Sequence, residues 1–386
     1  MKPKVVLIGP IGDYGGRDVE AQLITKALEK DFEVQLLSTG VISSASFALS
    51  ESTITSFLSI QKLQFKKSWL LRCTAYLSFL IHKRKQPPYM YVKNKLSLGW
   101  YDFRKSAHAF IYKEIDTADV VLFIGQLTST FLEEVITYCD TVNIPLLVRT
   151  TGTIVLHPTY DIGYLSKVTR YIHHSASNAA RMPSALQTSY VLIDQAATTE
   201  AMLLEIPVLH TTVKKYGFIG RLSKEKGLLE LLNMIDLAPD ETLHIAGDGP
   251  LQEDVQSAIA GYDAITYLGQ LSRADLKAFY ENVDCVIISS FEESGPLVGL
   301  EAMAAGKLII STDVGAMKDR LEAIDPCFWF DIQQPETFKK QKKMISALQA
   351  DEVRRISVSL RQRYTSKYTK HLISERYRHI VSEVVS

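Results

Sequence analysis

A chain of 386 residues exceeds what one hydrophobic core usually organises and suits two domains of about 150–200 residues, with a ligand cleft expected between them. Hydrophobic residues at 46% and charged residues at 22% exclude a disordered, collagen-like or disulfide-dense chain. With 43 Lys and Arg against 43 Asp and Glu the net charge is zero, so nothing global argues for nucleic acid, and any electrostatic partner must be read from local clustering.

The opening MKPKVVLIGP runs directly into a buried-strand pattern at Val5 to Gly9, too short for a secretion signal. The glycine-rich turn IGPIGDYGGRD follows, then helical spacing of Val19, Leu23, Ile24 and Leu28. Short apolar strands recur at Glu33 to Leu37, Val120 to Gly125, Pro145 to Arg149, Tyr171 to His174 and Tyr190 to Ile193. Ile206 to Tyr216 lacks a period and reads as the linker, which places a boundary at 212/213. Beyond it, strands at Gly217 to Gly220, Leu243 to Gly247, Ile265 to Gly269, Val286 to Ser290 and Leu308 to Thr312 alternate with helices at Gly227 to Asp236, Pro250 to Ala260, Ala274 to Asn282 and Leu297 to Ala305. This alternation specifies α/β halves built on parallel sheets. The tail from Arg354 to Val385 holds no Gly or Pro and reads as helix, long enough to return to the first half. Val41 to Asp116 is uninformative about fold.

The chemistry concentrates in the second half. In FEESGPLVGLEAMAAGK, Glu293 lies in a loop with Gly295 and Pro296, and a helix begins near Leu297 and Val298 with Glu301 on it. Backbone N–H groups at such a helix start favour a phosphate or a sugar hydroxyl. Ionised carboxylates accept from vicinal hydroxyls. In GFIGRLSKEKGLLELL, Arg221 and Lys226 supply a fork and a point charge suited to a diphosphate. IAGDGP is a weaker glycine turn leading to a helix. In the first half, Gly15 and Gly16 let backbone approach a ligand. The glycine spacing there does not fit a dinucleotide fingerprint, and no Walker loop, nucleophile elbow, zincin helix or Asp-x-Asp pair is present.

Between Glu51 and Asp102 no acidic residue occurs, while nine Lys and Arg, among them Lys83, Arg84 and Lys85, alternate with aromatics. This patch suits an anionic membrane surface or a lipid diphosphate acceptor. The four cysteines show neither metal-site nor disulfide spacing and read as reduced thiols. A cytoplasmic protein, at most peripheral at the inner face of the membrane, is expected.

The ordered residues FIGRLSKEKGLLELL, HIAGDGP, ITYLGQLSRADLKAFYENVDCVIISS and FEESGPLVGLEAMAAGK resemble the C-terminal half of glycosyltransferase family 4 over about 216–320. The resemblance implies a GT-B fold of two facing Rossmann-like domains: an acceptor-side domain over 1–212 plus a C-terminal helix at about 370–386, and a nucleotide-sugar domain over 213–369. It further implies a retaining, metal-independent hexosyltransferase with no cofactor, acting in surface polysaccharide or glycolipid assembly. Its partners would be a nucleotide sugar and a glycan or lipid-linked acceptor, not nucleic acid. Arg221 and Lys226 would contact the donor diphosphate, Glu301 the ribose, Glu293 the sugar at the reacting centre, and Gly16 the phosphate or acceptor. Gly295, Pro296, Leu297 and Val298 would complete the donor loop. The chain departs from the family where Ser294, Gly295 and Pro296 follow Glu293 without the usual aromatic, and where the first-half strands VLFIGQLTS and LLVRTTGT carry no His. A non-catalytic partner of a membrane transferase and a GT-B epimerase are the rival readings.

Overall fold

The computed structural model describes all residues except Met1, Tyr14, 44–45, 50–56, 83–85, 156–161, 187–188 and Ser386. Lys83, Arg84 and Lys85 therefore lie outside the described residues. Contacts divide the chain into two compact units, the first comprising Met1–His173, Ala179–Ile193 and Ser374–Ser386, the second His174–Asn178 and Asp194–Ile373.

Among the described residues the first unit holds seven parallel strands: β1 (Lys4–Gly9), β2 (Glu33–Ser38), β3 (Phe57–Ser59), β4 (Val120–Gly125), β5 (Leu146–Thr150), β6 (Arg170–His173) and β7 (Tyr190–Leu192). Their order is β3-β2-β1-β4-β5-β6-β7, so the strand order reverses between β1 and β4. Continuous apolar runs such as VVLFIG in β4, buried at every position, follow from helices covering both faces of a parallel sheet. Val41 to Asp116, silent in the sequence, supplies β3 and the helices Ile60–Lys67, Trp69–Ile81 and Phe103–Ile115.

The second unit holds β8 (Lys215–Ile219), β9 (Thr242–Ala246), β10 (Ile265–Tyr267), β11 (Cys285–Ile288), β12 (Leu308–Ser311) and β13 (Phe328–Trp329), in the order β10-β9-β8-β11-β12-β13. Here the order reverses between β8 and β11, and their carboxyl ends form the crevice where open parallel sheets bind ligands. Two strands have no counterpart in the sequence reading: β3 lies in the stretch Val41 to Asp116, and the two residues of β13 are too few to show a period.

The division between units falls at Ile193/Asp194 rather than at 212/213. Ile206, Leu209 and Val213 are buried in the second core, so Ile206 to Tyr216 packs as part of that unit instead of running free as a linker. The tail forms two helices, Ala350–Lys367 and Lys370–Val385. They part at Tyr368, after which the Thr369 hydroxyl accepts from the Leu372 N–H at 3.3 Å as a new N-cap. Ser374–Ser386 group with the first unit, where the Tyr377 hydroxyl donates to Glu20 at 3.3 Å. Among the described residues, no helix is long and apolar enough to cross a membrane.

Candidate functional site

In the second unit the loops after β8 and β9 are laced together by backbone. Gly220 N–H donates to the Ala246 carbonyl at 3.1 Å, and Leu222 N–H to that of Asp248 at 2.9 Å. The loop after β8 also locks to the one after β11: Phe291 N–H donates to the Glu225 carbonyl at 2.8 Å, and the Ser289 hydroxyl to that of Lys226 at 2.9 Å. Gly227 makes this approach possible. Its φ is +62°, and a Cβ there would lie 2.2 Å from the Ser289 carbonyl oxygen.

The lacing brings Lys226 onto Glu293, and the two side chains form an ion pair that is largely shielded from solvent. The Ser290 hydroxyl donates to the same carboxylate oxygen at 3.2 Å. Ser290 itself is buried. A cation, a carboxylate and a hydroxyl thus meet between the carboxyl ends of β8 and β11. Arg221 is exposed on the same loop and acts electrostatically on Glu225. Lys224, Glu225, Leu229, Leu251 and Phe291 line a neighbouring cavity of about 460 Å³.

Gly295 and Pro296 lead into the Leu297–Ala304 helix, whose N-terminus has no side-chain cap. Its first N–H groups therefore lack a local side-chain acceptor and carry the positive end of the helix dipole. Arg320, fully buried, fixes the entry to this helix. It donates to the Pro296 carbonyl at 2.5 Å and grips Asp194 through two bonds of 2.7 and 2.8 Å. Across the loop, Gly315 at φ +52° admits the Ser294 carbonyl where a Cβ would come within 2.4 Å.

Glu301 has a different hydrogen-bond partner, Tyr280. It sits 93% buried on the helix, with the Tyr280 hydroxyl donating to Oε2 at 3.0 Å, and burial raises its carboxyl above the ordinary range. Leu297 and Val298 are half-buried beside it in sequence, on the first turn.

In the first unit, Gly16 opens the helix Gly16–Leu28, and a Cβ built there meets no atom of the described residues within 4 Å. The preceding loop is held by Asp18, which accepts from Gly12 N–H at 2.7 Å and whose pKa burial raises. Arg17 reaches the Pro10 carbonyl at 2.9 Å and the Thr151 hydroxyl at 3.4 Å, at the carboxyl ends of β1 and β5. Near the ends of β2 and β4 lies a cavity of about 600 Å³ lined by Gln61, Gln64, Lys93, Ser129, Glu134 and Tyr164 among others. The Gln64 amide donates to the Phe103 carbonyl at 2.9 Å, which fixes its orientation, and its buried Oε1 has no donor among the described residues. Among the described residues, no three His, Cys, Asp or Glu side chains converge to hold a metal.

Ser290, Arg320, Asp194, Tyr280 and Arg17 were not singled out from the sequence. Arg17 follows Gly15 and Gly16 at a helix start, an unfavourable place for an unpartnered cation and so a readable signal. Asp194 and Arg320 are far apart in sequence, and nothing local announces their pairing.

Comparison with solved structures identifies the architecture. A glycosyltransferase from Rickettsia africae superposes with a TM-score of 0.74 at 15% identity, over 100% of this chain and 99% of that one. Anabaena Alr3699/HepE in complex with UDP and glucose gives 0.68 at 13% identity, over 99% and 100%. The fold is GT-B. Residues 205–357 match the family model of glycosyl transferases group 1, a span that includes the 216–320 stretch carrying the sequence resemblance. Curated relatives match in part. The sulfoquinovosyl transferase SQD2 of Arabidopsis thaliana is 32% identical over 26% of this chain and 20% of its own length. The 2-deoxystreptamine glucosyltransferase of Streptomyces kanamyceticus is 28% identical over 28% and 30%. The D-inositol 3-phosphate glycosyltransferase of Corynebacterium urealyticum is 26% identical over 54% and 52%. The matched segments thus span between a fifth and about half of those relatives.

Proposed function

We propose that the protein is a glycosyltransferase that moves a sugar, a hexose by preference, from a nucleotide-diphosphate sugar to a saccharide or lipid-linked glycan. The observation that carries this reading is the Lys226, Glu293 and Ser290 cluster between β8 and β11, next in sequence to an uncapped helix N-terminus. Cation, free N–H groups and helix dipole suit a diphosphate, and a carboxylate suits sugar hydroxyls. That Alr3699/HepE was solved with UDP and with UDP-glucose, on the same fold, supports a nucleotide sugar as the ligand class.

In this reading Arg221 and Lys226 bind the diphosphate and stabilise the charge it gains as the glycosidic bond breaks. Backbone at Gly295, Pro296, Leu297 and Val298 shapes the donor loop that Arg320 holds. Glu293 is the catalytic residue, accepting from the donor sugar. Glu301 accepts from the ribose diol through the oxygen that Tyr280 leaves open. The first unit, with Gly16 and the cavity lined by Gln64, takes the acceptor. The transfer retains anomeric configuration, uses no metal, and the departing phosphate takes the acceptor proton.

A panel of nucleotide sugars scored by thermal shift, followed by product analysis with the stabilising donor, tests the reading. Glu293→Ala and Arg221→Ala should each abolish most transfer. Undiminished transfer by either variant would sink the assignment.

A further inference from the structure

The helix Trp69–Ile81 is unusual for what it leaves uncovered. It buries Leu71, Ala75 and Ser78, one narrow stripe, against the rest of the first unit. Trp69, Tyr76, Leu77 and Leu80 are exposed on the other side with Leu70 and Ile81, Trp69 at 64% and Ile81 at 69%. At about 100° per residue these six side chains fill one arc of about 140°. Monomeric soluble proteins seldom expose a contiguous apolar face of this kind without using it. The helix has 13 residues, hence about 20 Å, and carries Arg72, so it is too short and too polar to span a bilayer.

We infer that this face docks the protein onto an anionic membrane, lying in the plane of the interface with its apolar arc among the acyl chains. Charge selects the occupant. The helix belongs to the acid-free stretch between Glu51 and Asp102, and Lys66, Lys67, Arg72, Lys93 and Lys95 of that stretch are all exposed. A second copy meeting this face about a two-fold axis would set the same cations against one another, and the stretch itself holds no acid to answer them. Anionic headgroups answer them directly, each cation near the surface strengthening binding roughly fivefold. Two of the chain's three Trp, Trp69 and Trp100, are exposed within the same stretch, the residue type that settles at the headgroup boundary.

The placement bears on the acceptor. The helix Ile60–Lys67, separated from Trp69 by Ser68 alone, carries Gln61 and Gln64 into the 600 Å³ cavity while Lys66 and Lys67 face solvent. The docking face and that cavity are thus built on consecutive helices.

Co-sedimentation of the full chain with phosphatidylcholine vesicles, with and without phosphatidylglycerol, is the test. Binding should require phosphatidylglycerol and weaken as salt is raised. Trp69→Ser with Leu80→Ser and Ile81→Ser should reduce it at least tenfold, and Lys66→Gln with Lys67→Gln roughly 25-fold at low salt. These side chains are exposed, so nucleotide-sugar stabilisation should persist in both variants, which separates docking from the transfer reaction. On a Trp329→Phe background, vesicles should shift the tryptophan emission to the blue. Failure of the wild-type chain to bind anionic vesicles would overturn the inference. So would equal binding by the serine variant, or a dimer that the serine substitutions dissociate in the absence of lipid binding.

Discussion

Arg320→Met tests whether the donor loop is held from beneath. The substitution removes a fully buried guanidinium and leaves the Asp194 carboxylate, 7% exposed, without its two-pronged partner. Breaking one side of a buried pair costs about 3–5 kcal/mol, and the released Pro296 carbonyl adds up to a few more, less than additively. We expect a loss of at least about 3 kcal/mol, or a fall in the urea midpoint of about 1–1.5 M for a unit of this size. The assay follows Trp329, in β13, on a background of Trp69→Phe and Trp100→Phe that leaves it as the chain's only tryptophan and a reporter of the second unit. Adding Asp194→Leu should recover most of the stability, because no buried charge then lacks a partner. It should not recover nucleotide-sugar affinity, because nothing replaces the hold on Pro296. A midpoint change under about 0.3 M in the single variant, or no recovery in the double, refutes the reasoning.

Gly227→Ala should cost about 2 kcal/mol or more and weaken donor binding. Its positive φ and the Ser289 carbonyl together forbid a Cβ without moving the loop that carries Lys226, and calorimetric unfolding with and without donor would show both effects. Lys226→Met should weaken donor binding at least tenfold by titration calorimetry. Glu293→Gln should instead lower kcat about a hundredfold with donor affinity changed only a few-fold. His173 supplies a pH signature. Burial, then the Arg149 charge, lowers its pKa from 6.5 to about 4, while Thr150 shares a hydrogen bond with its Nδ1 at 2.7 Å. Between those values the unfolded chain binds the proton and the folded one does not. Stability is therefore full above pH 6.5 and falls by about 3 kcal/mol as pH drops to 4. His173→Asn should flatten that part of a denaturation-midpoint profile against pH, and an unchanged slope would count against the assignment.

The parallel α/β halves are legible in the chain alone, because strands buried on both faces must read as continuous apolar runs and glycine turns must punctuate them. Also legible are Glu293, Lys226 and the helix start at Leu297, since loop chemistry beside a helix N-terminus is local. The acid-free segment is marked by composition alone, but composition does not say which face of a helix remains uncovered. That the Trp69–Ile81 helix buries only Leu71, Ala75 and Ser78 is a fact of packing.

The pairings between distant residues come from the folded chain. It set Lys226 on Glu293, joined Arg320 to Asp194 and to the Pro296 carbonyl, and placed Tyr280 on the buried Glu301. It also moved 194–212 into the second unit, where the aperiodic stretch read as a linker buries Ile206, Leu209 and Val213. Periodicity records only which face of one element is apolar. Partners brought together by chain crossings leave no trace in the spacing of either residue, so they had to be seen in the folded chain.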